Sequence, residues 1–121
     1  MTKWRNFPAL LLVALALFGC GQSDNPGPDV ETGRRLFGEH CASCHSLSPD
    51  TVIVGPSLSR VASRVEDNPL GLEAAAYLRR SIVTPQADTV EGFPNLMPVD
   101  FERKLTPEQL QALIDFLLTQ R

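Results

Sequence analysis

Lysine is nearly missing from this chain. Of 121 residues, 11 are basic and 14 acidic, and Lys3 and Lys104 are its lysines. Loss of Lys3 and Arg5 with an N-terminal leader would take the formal charge from −3 to −5. A surface of that sign does not suit nucleic acid. It also offers no polybasic patch to an anionic membrane. Alternating strand patterns are lacking, which points away from β-rich classes and towards an all-α chain. The apolar run Phe7–Phe18 is too short to span a bilayer comfortably. Histidine is limited to His40 and His45, and cysteine to Cys20, Cys41 and Cys44.

What the chain does have is one Cys-x-x-Cys-His run, Cys41-Ala42-Ser43-Cys44-His45. This is the attachment signature of a c-type haem. Two thiols at that spacing add across the two vinyl groups of one haem. The histidine that follows is then held beneath the iron, where its imidazole serves as proximal ligand. Zinc sites and dithiol redox proteins use Cys-x-x-Cys as well. A structural zinc cage needs four ligands, and His40, Cys41, Cys44 and His45 are crowded into six residues. A thioredoxin-like dithiol would sit near a βαβ pattern, for which there is no strand signal.

The N-terminus speaks to location. Lys3 and Arg5 precede the apolar run, as in a secretory signal peptide. The run ends in Leu17-Phe18-Gly19-Cys20, which resembles the lipobox of bacterial lipoproteins. That resemblance makes residues 1–19 a lipoprotein signal peptide and Cys20 the lipidated first residue of the mature chain. Several acyl chains would hold it on the membrane without spanning it. The expected location is the bacterial periplasm, or the outer face of the cytoplasmic membrane. The competing reading is an ordinary signal peptide followed by a free Cys20. With Cys20 lipidated and two cysteines on haem, no disulfide is expected. Residues 20–29 then form a lipidated, flexible linker. Its stretch from Gly21 to Asp29 is rich in turn formers and reaches about 30 Å when extended.

Residues 30–121 make one small domain. Such a chain buries a limited core, so the apoprotein is expected to be weakly folded. A first helix is expected from Val30 into the haem motif, with Gly33, Leu36 and Phe37 at helical spacing. A short helix is placed at Ser57–Val65, and another at Leu72–Val83 that ends before Pro85. The last helix has the strongest signals. Thr106 and Gln109 form a capping box, Pro107 suits the first helical position, and Leu110, Leu113, Ile114 and Leu117 line one face.

Together, Gly33-x-x-x-Phe37, the Cys-x-x-Cys-His run, Gly55-Pro56-Ser57-Leu58, Met97-Pro98 and the amphipathic last helix resemble class I cytochrome c. The resemblance implies a class I cytochrome c fold, three to five helices wrapped around one covalently attached haem. Cys41 and Cys44 would carry the haem, and His45 and Met97 would be the axial ligands of its iron. It places Gly33 and Phe37 where the first and last helices cross. The Pro56 carbonyl would accept the other ring N–H of His45, and Leu58 would pack against the ring. His40, tethered to the proximal side, is expected at the surface near the haem edge. The stretch from Tyr77 to Pro98 is similar to the cytochrome c domain of haem–copper oxidase subunit II, and also to free monohaem cytochromes of the same subgroup. By that likeness Tyr77, Arg79 and Arg80 are candidates for the haem propionates, although paired arginines on a helix also commonly face solvent. A lysine ring for docking is not available from Lys104 alone, so docking would rely on arginine or apolar contact.

The function these features imply is a membrane-tethered monohaem electron carrier, not an enzyme. Its partners would be redox proteins, with a quinol-oxidising complex as donor and a terminal oxidase as acceptor. No nucleic acid and no small-molecule substrate is expected. One rival reading is a relay subunit fixed in a larger oxidase or dehydrogenase. Another is a haem sensor or peroxidase, which would need a labile sixth ligand.

Overall fold

A computed structural model describes residues 28–121. The signal segment, Cys20 and the linker up to residue 27 lie outside the described residues. Five helices follow in order: α1 Pro28–His40, α2 Val61–Glu66, α3 Ala74–Val83, α4 Phe101–Lys104 and α5 Pro107–Leu118. No strand occurs among the described residues. None of their helices is long and apolar enough to cross a membrane.

The centre of the molecule is the crossing of α1 and α5, the most extensive contact between elements. Gly33 makes it possible. A Cβ there would run into the Ala112 carbonyl oxygen, and it would stand 2.7 Å from Phe116 Cβ. Phe37 meets Phe116 with ring centroids 5.7 Å apart, and the Arg34 guanidinium lies 5.2 Å from the Phe116 ring centre. Leu36, Leu113 and Ile114 complete the crossing and are almost wholly buried. On α5 the buried face is wider than the expected stripe, because Ala112 and Phe116 are also buried. They face α1, whereas the stripe of Leu110, Leu113, Ile114 and Leu117 is read from hydrophobicity alone.

Helix boundaries differ from the sequence reading in ways that local bonds explain. α1 starts at Pro28, so Pro28 and Asp29 belong to the helix and not to the linker. Proline at the first helical position loses no hydrogen bond there. α2 begins at Val61, not Ser57. Arg60 holds a left-handed φ of 52°, and the Ser57 hydroxyl accepts from the Ser59 N–H, so no helical turn can pass through them. α3 begins at Ala74 because the Leu72 backbone bonds both ways to the Asn68 side chain. α5 starts as expected, with both halves of the Thr106–Gln109 capping box formed. Helix α4 is absent from the sequence reading. It is a single turn pinned by an ion pair between Lys104 and Asp100, at 3.1 Å.

Candidate haem site

The segment after α1 turns back on itself. The N–H of Cys44 and that of His45 both bond to the Cys41 carbonyl, at 3.0 and 2.9 Å. This turn presents Cys41 and Cys44 side by side, unbridged and half-buried. Burial pushes the Cys41 thiol up to about 11, and the neighbouring Cys44 adds to the shift. His45 is fixed from two directions. Its Nδ1 donates to the Pro56 carbonyl at 2.8 Å, and its ring lies against Gly55. A Cβ at Gly55 would fall 2.9 Å from each ring nitrogen and closer still to Cε1. Glycine is therefore needed to leave room for the imidazole. With Nδ1 engaged, Nε2 carries the free lone pair, the arrangement a metal-ligating histidine requires.

This donor set fits a c-type haem. Two free thiols stand at the Cys-x-x-Cys spacing that haem attachment uses, and one oriented imidazole nitrogen follows them. It does not fit a zinc cage. No group of three or more His, Cys, Asp or Glu side chains comes together to hold a metal among the described residues.

A family model for cytochrome c matches residues 30–121. The chain belongs to the cytochrome c family. Its fold is the all-α class I form, and its cofactor is haem c, covalently attached and one per domain. Cys41 and Cys44 stand at the spacing that attachment needs. The family transfers electrons through haem and exchanges them with redox protein partners. No curated protein matches the chain.

The remaining site candidates are placed as follows. Met97 is half-buried and packs against the core cluster, in a loop without regular structure that joins α3 to α4. Leu58 and Tyr77 are likewise half-buried against that cluster. Arg79 and Arg80 already have protein partners. Arg79 donates to the Gln111 side chain at 2.7 Å, and Arg80 pairs with Asp88. His40 is not a plain surface residue. It sets its ring edge-on to Phe101, with centroids 6.4 Å apart.

Two residues that the sequence reading passed over hold the His45 loop in place. Ser57 donates from its hydroxyl to the Ser48 carbonyl at 2.7 Å. Arg64 donates to the Ser57 carbonyl at 2.6 Å. Serine and arginine at exposed-looking positions give no signal of such a role in one sequence. The clustering of Ser46, Ser48, Ser57 and Ser59 on either side of the loop was the available clue.

Proposed function

We propose that this chain is a membrane-tethered monohaem cytochrome c that carries single electrons between membrane complexes. His45 Nε2 and Met97 Sδ would hold the haem iron. When bound, haem supplies a one-electron couple between ferric and ferrous iron. The observation that carries this reading is the His45 ring, locked between Gly55 and the Pro56 carbonyl with Nε2 left free. The Pro56 bond makes the imidazole a more basic ligand and fixes its rotation, so little has to reorganise when charge changes. A thioether opposite histidine raises the potential, which suits delivery to a strongly oxidising acceptor. The half-buried setting of Met97 supports its part. With His45 and Met97 both holding the iron, the haem would offer no open position to a substrate, which supports a carrier.

The lipobox-like Leu17-Phe18-Gly19-Cys20 supports attachment through Cys20 to the outer face of a bacterial cytoplasmic membrane. A quinol-oxidising complex as donor and a terminal oxidase as acceptor fit this placement, in a respiratory or photosynthetic chain.

The test is the optical spectrum of the haem-loaded protein. A weak far-red sulfur-to-iron band in the ferric form, lost in Met97→Ala, is expected. A high-spin wild-type spectrum that shifts with carbon monoxide or cyanide would sink the ligand assignment and turn the reading to sensing or peroxidase chemistry.

A further inference from the structure

The His45 bond is only as firm as the Pro56 carbonyl that accepts it. That carbonyl lies in one rigid plane with the Ser57 N–H, because the peptide bond between them does not rotate. Its direction is therefore set by what holds Ser57.

Ser57 is held unusually well for a half-buried loop residue. Its hydroxyl donates to the Ser48 carbonyl at 2.7 Å and accepts from the Ser59 N–H at 3.1 Å. Its own carbonyl accepts from Arg64 at 2.6 Å. On either side, the Gly55 N–H bonds to the Cys44 carbonyl at 2.9 Å, and the Leu58 N–H to the Ser46 carbonyl at 2.7 Å. Ser46 and Ser48 belong to the strip of chain that leaves His45. The Ser46 hydroxyl in turn receives the Ser48 N–H at 2.9 Å. The two sides of the loop are thus laced together around the imidazole, and Ser57 is the knot, donating one of these bonds and accepting two.

We propose that Ser57, backed by Arg64, is a positioning residue for the His45 imidazole and through it sets the haem potential. The proposal rests on His45 as an iron ligand. Removing the Ser57 hydroxyl lets the Pro56–Ser57 peptide rock. The Nδ1–H bond weakens, the imidazole becomes a poorer donor, and ferric iron loses more stabilisation than ferrous. The potential should rise.

The experiment compares haem-loaded wild type with Ser57→Ala, Ser57→Thr and Arg64→Leu. Exchange of the His45 Nδ1 proton with deuterium is followed by NMR, and the reduction potential is measured alongside. In Ser57→Ala, exchange should quicken by about two- to tenfold, the range that loss of one hydrogen bond supports, with a higher potential. Arg64→Leu should move both readouts the same way. Ser57→Thr, which keeps the hydroxyl, should restore them. Ser63→Ala, an exposed change on neighbouring α2, should move neither. Two failures are distinguishable. If wild type shows no iron-shifted His45 ring signals, the ligand reading falls and takes this proposal with it. If those signals are present but Ser57→Ala and Arg64→Leu leave exchange and potential unchanged, even with lower thermal stability, then Ser57 is structural only and the proposal alone is overturned.

Discussion

His45 cannot turn without striking something or breaking something. Gly55 on one face admits the ring only because it has no side chain, and the Pro56 carbonyl holds Nδ1. Gly55→Ala puts a methyl group where the imidazole lies, so either the ring or the loop must move. Such overpacking costs ~1–3 kcal/mol. The expected outcome is poor haem incorporation and a potential displaced from wild type, checked by haem yield per chain and by redox titration. The cysteines make a second case at this scale. Before attachment, Cys41 is mostly in the thiol form at neutral pH, because burial and then Cys44 lift its pKa to about 11. Only the thiolate attacks. In haem-free chain that keeps this fold, its alkylation should therefore go on climbing by about tenfold per pH unit up to pH 10, as measured by peptide mass spectrometry over time. A rate that levels off at about pH 9, as that of a solvent-exposed thiol does, would show that the thiol is not buried.

Among the elements, the crossing of α1 and α5 governs the rest. Their contact places the end of α1, and hence the turn of Cys41 to His45, over the core. Gly33→Val drives a branched side chain into the Ala112 backbone, which cannot swing aside as a side chain would. A loss of ~1–3 kcal/mol or more should appear as a fall in melting temperature of about 5–20 °C for a domain of this size. An unchanged melting curve would mean the helices cross with more room than the structure shows. The loop that carries Met97 is built differently. Its backbone bonds, such as Phe93 N–H to the Val90 carbonyl and Leu96 N–H to the Pro94 carbonyl, are local. The Arg80–Asp88 pair ties the start of this loop to α3. Few ties of that kind are the mark of a segment that opens more readily than the helices around it.

For the molecule as a whole, the protein core is small and several large apolar side chains remain at the surface. Val52, Ile53 and Val54 beside the haem motif are 61, 51 and 42% exposed, and Leu96 beside Met97 is 67% exposed. A domain of this length gains limited burial from its own side chains. A Cys41→Ala, Cys44→Ala double variant, unable to attach haem, should therefore lose its sharp thermal transition and bind a hydrophobic dye. Circular dichroism and dye fluorescence would show this. A cooperative transition at the wild-type temperature would mean that the helices are self-sufficient.

The sequence by itself determined the chemistry and the helical class. Cys41, Cys44 and His45 are contiguous, so their spacing carries the haem motif without any fold. Thr106, Pro107 and Gln109 start α5 by bonds within one turn, and Gly33 and Phe37 belong to the family likeness that implies the crossing of α1 and α5. Tertiary structure decided what depends on distant groups. The reach of Ser57 to Ser48 and of Arg64 to Ser57 braces Pro56. The turn at Phe101–Lys104 is closed locally by Lys104 on Asp100, but it is seated by the burial of Phe101 in the core. Arg79 and Arg80 look alike in sequence, yet one reaches Gln111 and the other Asp88. Bonds closed within a few residues are written in local order. Bonds between separate segments exist only once the chain has brought those segments together, and a single sequence carries no record of which partner each side chain will meet.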